Sequence, residues 1–287
     1  MGSQIKGITK RGKDFFKLDT SHTEQISHLH VLGTNLWSAG AFTLNCYASA
    51  NNAIADKYFY VCDDKINGMI VLHADILNTG QIMPFVVLAC NDGTIKVIDD
   101  DGRPIYQVNL DAAPTCITLL EPSDLDVPQP TVILFGLQNG NIGAVELQQD
   151  EAMVLWEKES TDGDSNAPIQ HLKVAQLRDK QPESCIVVRD DSSIEIYKFS
   201  PKPGQMAGLQ PPALFFQVKE TEAITGCVVG HVTSAARREI LLSCYSGAIK
   251  SLVDKRQARR FGATTEDTQQ MTEAQLKTEK DKKLTLL

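Results

Sequence analysis

The feature that most constrains the fold is a hairpin pattern that occurs four times between residues 86 and 249. In each copy an apolar run leads into a short polar turn, and isoleucine opens a second apolar run after the turn. These isoleucines are Ile95, Ile142, Ile194 and Ile249, so successive copies lie 47, 52 and 55 residues apart. A repeat of about 40–50 residues that holds about four strands is typical of a β-propeller blade. We therefore predict an all-β chain built from propeller blades.

The turns in these copies predict tight hairpins. Asp92-Gly93, Asn139-Gly140 and Ser246-Gly247 supply the positive φ that two-residue turns require, and Ser192-Ser193 is a weaker form. Other strands are predicted around the hairpins: outer strands at 15–18 and 104–108, inner strands at 114–120 and 224–229, and a weaker unit around 36–40. Stretches rich in Pro and Gly predict surface loops at 121–130, 161–168 and 200–212.

A change of composition after Val253 divides the chain into two predicted parts. Residues 1–260, at about 45–50 residues per blade, correspond to between five and six blades. Residues 261–287 are rich in Thr, Glu, Gln and Lys, and Thr264 with Asp267 resembles a helix N-cap box. We predict a short C-terminal helix there, the start of a coiled coil.

Composition argues against several functional classes. The chain has 28 basic and 36 acidic residues and a net charge of −8, which disfavours a protein that coats nucleic-acid phosphates. No stretch approaches the roughly 18–20 apolar residues of a membrane span, and residues 1–7 predict neither a secretory signal nor a myristoylation site. Most cysteines lie within apolar runs without a close pair, which predicts buried thiols in a reducing, cytosolic setting. The seven are Cys46, Cys62, Cys90, Cys116, Cys185, Cys227 and Cys244.

Two patterns in the sequence could indicate a metal site, a histidine pair and two acidic segments. His28 and His30 would share one face of a strand, but no third ligand has a matching spacing, so exposed polar residues are favoured over a metal pair. Asp99, Asp100 and Asp101 before Gly102, and the segment 162–166 (DGDSN), superficially resemble calcium loops. Neither keeps the alternating ligand spacing, so turn chemistry is favoured and no metal or cofactor is predicted.

The remaining signals do not favour catalysis. The chain has no G-x-S-x-G, H-E-x-x-H, Walker A or G-x-G-x-x-G motif, so we predict that it is not an enzyme. A basic cluster at 255–260, which includes Arg256, Arg259 and Arg260 and has Lys250 nearby, could contact anionic lipid or an acidic partner. A solvated connector before the predicted helix is the favoured interpretation.

Short segments across nearly the whole chain resemble the Bardet–Biedl syndrome protein 7 family of BBSome subunits. In chain order they are 7–16 (GITKRGKDFF), 23–26 (TEQI), 33–36 (GTNL), 63–67 (DDKIN), 87–90 (VLAC), 134–136 (LFG), 188–191 (VRDD) and 245–247 (YSG). Each segment is weak alone, and their occurrence in the same order makes the resemblance specific.

The resemblance implies an N-terminal seven-bladed propeller, a coiled coil and further domains. It implies a non-catalytic role in the BBSome, a coat-like complex that sorts membrane proteins to and from cilia. The implied partners are other BBSome subunits, with the coiled coil pairing to the second subunit, an Arf-like small GTPase and the intraflagellar transport complex. The implied locations are the cytoplasm, the cilium, the basal body and, indirectly through the complex, the ciliary membrane. Nucleic acid is not among the expected partners.

The chain departs from the family pattern at both ends. One to two blades are expected before residue 1, and everything beyond the first turns of the coiled coil is missing, so we expect a fragment. An incomplete ring would leave strand edges exposed, which favours association.

Two functions remain open from the sequence. The first is a protein-interaction scaffold that uses propeller loops and rim, with the final blade at 241–252 as the first place to look. The second is an enzyme or cofactor-binding propeller with a ligand in the central channel. The apolar inner strand at 116–119 favours the scaffold. A WD40 adaptor is less favoured, because Trp37 and Trp156 precede Ser38 and Glu157 instead of forming Trp-Asp signatures.

Overall fold

The computed structural model describes residues 3–50, 53–77, 79–120, 130–160, 166–177, 183–200, 209–232 and 238–253. Within these residues it contains twenty-one strands in six antiparallel sheets, each with its strands in sequence order. We name a two-stranded half-blade, four complete blades and a final three-stranded sheet. The half-blade is β1 (Gln4–Ile8) and β2 (Asp14–Asp19), and blade 1 is β3 (His28–Leu32), β4 (Asn35–Ala39), β5 (Thr43–Ala50) and β6 (Ala53–Val61). Blade 2 is β7 (Ile66–Ala74), β8 (Met83–Cys90), β9 (Thr94–Ile98) and β10 (Pro104–Asn109), and blade 3 is β11 (Pro114–Leu120), β12 (Thr131–Leu137), β13 (Ile142–Leu147) and β14 (Ala152–Lys158). Blade 4 is β15 (Ile169–Ala175), β16 (Ser184–Arg189), β17 (Ser193–Lys198) and β18 (Ala213–Lys219), and the final sheet is β19 (Ile224–Gly230), β20 (Glu239–Cys244) and β21 (Ile249–Leu252).

Strands β1–β18 belong to one compact unit, and β19–β21 belong to a second. The all-β prediction is confirmed, and the described sheets agree with the expected five to six blades. Each predicted hairpin forms the second and third strands of its sheet, and the predicted strands at 15–18, 104–108, 114–120 and 224–229 are present. The weaker unit around 36–40 is β4, which belongs to a complete blade.

The central strands of each blade are apolar because both of their faces are covered. In β8, β12 and β16 nearly every residue is buried, whichever face of the sheet its side chain lies on. A strand that is covered on both faces needs a continuous apolar run instead of alternation, which is the pattern of the repeats. Apolar clusters fill the spaces between successive blades: Phe85 and Phe135 belong to the cluster of blades 2 and 3, and Leu134 and Val187 belong to that of blades 3 and 4.

The hairpin turns differ from the two-residue turns that we predicted. In all four, the N–H of the fourth residue donates to the carbonyl of the first, at distances of 2.9–3.2 Å. Only that fourth residue has positive φ: Gly93 (83°), Gly140 (87°), Ser192 (71°) and Gly247 (83°). The central residues have negative φ, so each is a type I turn followed by one left-handed residue. The predicted turn type was wrong, although the glycines were correctly placed where positive φ is needed.

Several sequence predictions lie outside the described residues. These are the C-terminal helix at 261–287, the basic cluster at 255–260, residues 162–165 of the second acidic segment, and most of the three predicted loops. The described parts of those loops contain no strand. Where the chain is described, no helix has the length and hydropathy that a membrane span requires.

Candidate interaction surface

One edge of the strands in β1–β18 carries both the central hairpin turns and the connectors that lead from each blade to the next. We call this edge the turn rim; among the described residues it comprises the turns 40–42, 91–93, 138–140 and 190–192 and the connectors 20–27, 62–65, 110–113, 159–160, 166–168 and 220–223. The two sets meet here because a strand that enters a hairpin ends at the same edge as the fourth strand of its own blade. The turn rim is therefore a surface made of loops on a rigid frame, which suits binding.

Backbone hydrogen bonds join each turn to the neighbouring connectors. Asn91 N donates to Lys65 O at 2.8 Å, and Leu110 N donates to Gly93 O at 2.8 Å, so one turn is held from both sides. The turn of blade 4 is also held from both sides, by bonds of 2.9 and 3.0 Å from Asp190 and Glu220, and in blade 3 Gln138 N donates to Ala113 O at 2.9 Å. These bonds satisfy loop backbone groups and hold the turns in fixed positions.

A second set of bonds comes from β-bulges where the inner strands begin. The pairing skips one residue near the start of β7, β11, β15 and β19, at Asn67, Thr115, Gln170 and Thr225. Asn67 Nδ2 donates to Pro114 O of the next blade at 3.1 Å, and Thr115 Oγ1 donates to Ile169 O at 2.5 Å. At Asn67 and Thr115 the bulge re-aims the side chain so that it reaches the adjacent blade, whereas Gln170 and Thr225 bond within their own sheets.

A buried ion pair lies within blade 4 beneath the turn rim, and its arginine also bonds to blade 3. Arg189 and Glu195 have side-chain exposures of 1% and 0%, and two bonds of 3.0 Å join the guanidinium to both carboxylate oxygens. Arg189 Nη1 also donates to Gly140 O at 2.7 Å and Ala167 O at 3.1 Å, and Tyr197 donates to Glu195 at 2.8 Å. Although burial disfavours the charged form, the carboxylate raises the pKa of Arg189. The pair is charged, and the hydrogen bonds to both side chains compensate for the loss of water that burial imposes.

A smaller polar cluster holds the connector 20–27 against blade 1. His22 is buried, and its ring nitrogens lie 2.7 Å from Thr43 Oγ1 and 2.7 Å from Ser38 Oγ. Glu24 Oε1 accepts bonds from the N–H groups of Phe42 and Thr43, at 2.8 and 3.0 Å. Burial lowers the pKa of His22, with opposing contributions from Glu24 and Ser38. The side chains of His22 and Glu24 both have hydrogen-bond partners in blade 1, so the cluster stabilises the position of the connector.

The turn rim is acidic. Among the described residues, its loops carry ten carboxylates, whereas four lysines lie in these loops or on the strands beside them. Two of those lysines are paired with a rim carboxylate. Lys96 lies 2.6 Å from Asp63, and Lys219 lies 2.9 Å from Asp191. The carboxylates are Glu24, Asp63, Asp64, Asp92, Asp111, Glu159, Asp190, Asp191, Glu220 and Glu222; the lysines are Lys65, Lys96, Lys158 and Lys219. A rim of one charge sign attracts a partner surface of the opposite sign and speeds association.

The inner strands of the four blades line a cleft of about 370 Å³. Of the eight residues around it, only His30, Thr118 and Glu183 have polar side chains. The predicted pair His28 and His30 lies on β3, where both side chains are half-buried, so the expectation of exposed residues was wrong. β3 is an inner strand, and the ring of His30 lies 6.2 Å from that of Trp37. Among the described residues, no three His, Cys, Asp or Glu side chains are grouped as metal ligands would be.

The first acidic segment is a turn, as predicted. Asp99 Oδ1 accepts bonds from the N–H groups of Asp101 and Arg103, at 2.9 and 2.8 Å. Asp100 lies 2.5 Å from Lys57, and Arg103 contacts both Asp99 and Asp101. These carboxylates are therefore satisfied by the turn backbone and by neighbouring cations.

Comparison with known proteins places this chain among relatives. The mouse BBSome complex member BBS7 is 27% identical over 251 residues, which are 88% of this chain and 32% of the mouse protein. The Caenorhabditis elegans BBSome complex member bbs-7 is 25% identical over 248 residues, 86% of this chain and 32% of that protein. The chain thus spans about a third of the length of the curated relatives that it matches.

Solved structures show the same fold at lower identity. A crystal structure of BBS1N in complex with ARL6DN superposes with a TM-score of 0.58 at 13% identity, covering 84% of this chain and 67% of that one. A second crystal of that complex gives a TM-score of 0.53 at 13% identity, covering 76% and 60%. The model of the BBS7 beta-propeller family matches residues 1–254, so this chain belongs to the BBS7 beta-propeller family.

Proposed function

We propose that this chain is a non-catalytic BBSome subunit, whose propeller acts as a protein-interaction scaffold in sorting membrane proteins to and from cilia. The observation that carries the proposal is the family match over residues 1–254, together with relatives named as BBSome complex members. The proposed partners are other BBSome subunits, an Arf-like small GTPase and the intraflagellar transport complex. The proposed locations are the cytoplasm, the basal body, the cilium and its membrane through the complex. Residues 261–287 are proposed to begin the coiled coil that pairs with the second subunit.

The geometry of the turn rim supports an interaction role. Bonds between connectors and turns hold its loops in fixed positions, so little conformational entropy is lost when a partner binds. Its carboxylates favour a partner with a basic face, and that attraction should weaken as salt screens it. We propose that this rim takes part in docking within the complex.

The alternative, a ligand-binding or catalytic propeller, has less support. The cleft between the inner strands has the volume of a small-molecule site. Most of its lining is aliphatic, from side chains such as Met69, Val71 and Leu119. Catalysis in such a channel requires several polar groups that converge on one point. The lining therefore favours the scaffold.

Affinity purification of the tagged chain from ciliated cells, followed by mass spectrometry, tests the proposal. We expect other BBSome subunits to co-purify. If a folded chain recovers none of them, the proposed role of this region is wrong. A variant that changes Asp92, Asp111 and Asp190 to Asn tests the rim; we expect it to recover less partner, more markedly at low salt.

The matched control changes Asp14, Asp150 and Glu151, which lie away from the turn rim, to the corresponding amides. It alters the net charge by the same amount and should bind as the unmodified chain does. Equal loss in the two variants would show that net charge, and not the rim, governs binding.

A further inference from the structure

Two cysteines that are distant in sequence lie in contact between blades 1 and 2. Cys62 directly follows β6, and Cys90 is the last residue of β8. Their sulfur atoms are 3.4 Å apart, and the two side chains are almost completely buried, with exposures of 3% and 0%. They belong to the apolar cluster that fills the space between these blades. The backbone holds both in place, since Cys62 N donates to Phe42 O at 2.8 Å and Cys90 O accepts the turn bond from Gly93.

The surroundings make the two thiols unequal. The hydrogen bond with the Cys90 thiol, the backbone near Asp64 and the Lys96 ammonium lower the pKa of Cys62, against the opposing effect of burial. The same hydrogen bond and burial raise the pKa of Cys90. A thiolate is the nucleophilic form of cysteine, so Cys62 is the reactive partner and Cys90 is the neighbouring thiol that can resolve it.

We propose that Cys62 and Cys90 form a reversible disulfide that links blade 1 to blade 2 when the protein meets a peroxide. The Cys62 thiolate attacks the O–O bond of hydrogen peroxide; its sulfur is oxidised to sulfenic acid, and the departing hydroxide takes a proton and leaves as water. Cys90 sulfur then attacks Cys62 sulfur, the S–O bond breaks, and a second water leaves with the Cys90 proton. A dithiol reductant reverses the reaction by thiol–disulfide exchange.

The fold favours this bond over other fates of the thiolate. A disulfide needs its sulfurs about 2.05 Å apart, so the two atoms must approach by about 1.4 Å. Each lies at the end of a strand beside a connector or turn, where a small adjustment is easier than within a sheet. Since the resolving thiol is already in contact, disulfide formation should precede further oxidation of the sulfenic acid.

The test treats the purified 287-residue chain with hydrogen peroxide, blocks free thiols after denaturation, and digests it with trypsin without reduction. We expect the peptides 58–65 and 66–96 to become linked in most molecules at a few-fold excess of peroxide, and to separate on adding dithiothreitol. Cys46, which is buried in the same cluster, should stay free because burial raises its pKa to about 12. Oxidation of Cys62 and Cys46 to equal extents, or a linkage between different molecules, would overturn the proposal.

Variants separate the pair from general effects of core mutation. Cys62→Ser and Cys90→Ser should each abolish the linked peptides, whereas Cys46→Ala, a change in the same cluster, should leave them. The oxidised chain should unfold at a higher temperature, by at most about 10 °C, because the bond closes a loop in the unfolded chain. A linkage that forms while the unfolding temperature falls would show that it arises only in an opened structure, and the proposal would be wrong.

Discussion

The buried ion pair of blade 4, whose Arg189 also bonds to Gly140 of blade 3, allows the sharpest test of what stabilises these blades. Glu195→Gln keeps the shape of the side chain and removes the carboxylate that bonds to the Arg189 guanidinium, which has a side-chain exposure of 1%. An unpaired buried charge costs about 3–5 kcal/mol. For a unit of this size, each kcal/mol lost from the free energy of unfolding lowers the unfolding temperature by about 2–4 °C. We therefore expect the unfolding temperature to fall by roughly 6–20 °C.

Urea unfolding followed by far-UV circular dichroism and by tryptophan fluorescence measures this loss. Trp156 is a suitable reporter because it is buried in the cluster between blades 3 and 4. Lys219→Met is the matched control: it removes a charge from an exposed pair with Asp191 in the same blade, so it should cost less than about 1 kcal/mol. Replacing both members of the buried pair, Arg189→Met with Glu195→Leu, should destabilise less than Glu195→Gln alone, because no charge is left behind. A loss in Glu195→Gln no larger than in the control would refute the reasoning.

Two further predictions concern a glycine and a buried histidine. Gly140→Ala should cost about 1–3 kcal/mol in urea unfolding, because φ is +87° and the new Cβ would lie 2.9 Å from Arg189 Nη1; Gly12→Ala, at φ +77° with open space around it, should cost less. Burial lowers the pKa of His22 from 6.5, so its unfolded form binds more protons below that pH; the free energy of unfolding should therefore decline as pH falls from 7 towards 5. Urea unfolding at several pH values should show a smaller decline in the free energy of unfolding for His22→Gln. The control, His231→Gln at an exposed position, should keep the decline of the unmodified chain. Equal declines in the two variants would contradict the attribution to His22.

The hairpins could be predicted from sequence because their determinants are local. The apolar runs around Ile95 and Ile194, and the glycine or serine needing positive φ, lie within about a dozen residues of each other. The turn type could not be predicted in the same way, because Asp92-Gly93 suits both a two-residue turn and a type I turn with a left-handed residue after it. The half-buried positions of His28 and His30 depend on which strand lies innermost, and β3 alone does not encode that.

Some polar contacts in the core could be predicted in part from the sequence. Arg189 and Glu195 interrupt apolar strands that flank one turn, so two opposite charges in a predicted core could have suggested a buried pair. The additional bonds from Arg189 to Gly140 and Ala167 had no such signal, since those residues belong to another repeat and a connector. Nor could the contact between Cys62 and Cys90 be predicted, because each cysteine looks like an ordinary apolar residue in its own segment.

The repeated strand pairs, their turn positions and the all-β class follow from the amino-acid sequence, because strand pairing within a hairpin depends on neighbours in the chain. Contacts between blades depend on the folded arrangement: the bulged Asn67 and Thr115 reach the next blade, the two cysteines meet, and the carboxylates lie together on the turn rim. These contacts depend on the packing angle and register of one blade against another. Both arise from the burial of apolar faces along whole strands, and no short segment specifies them.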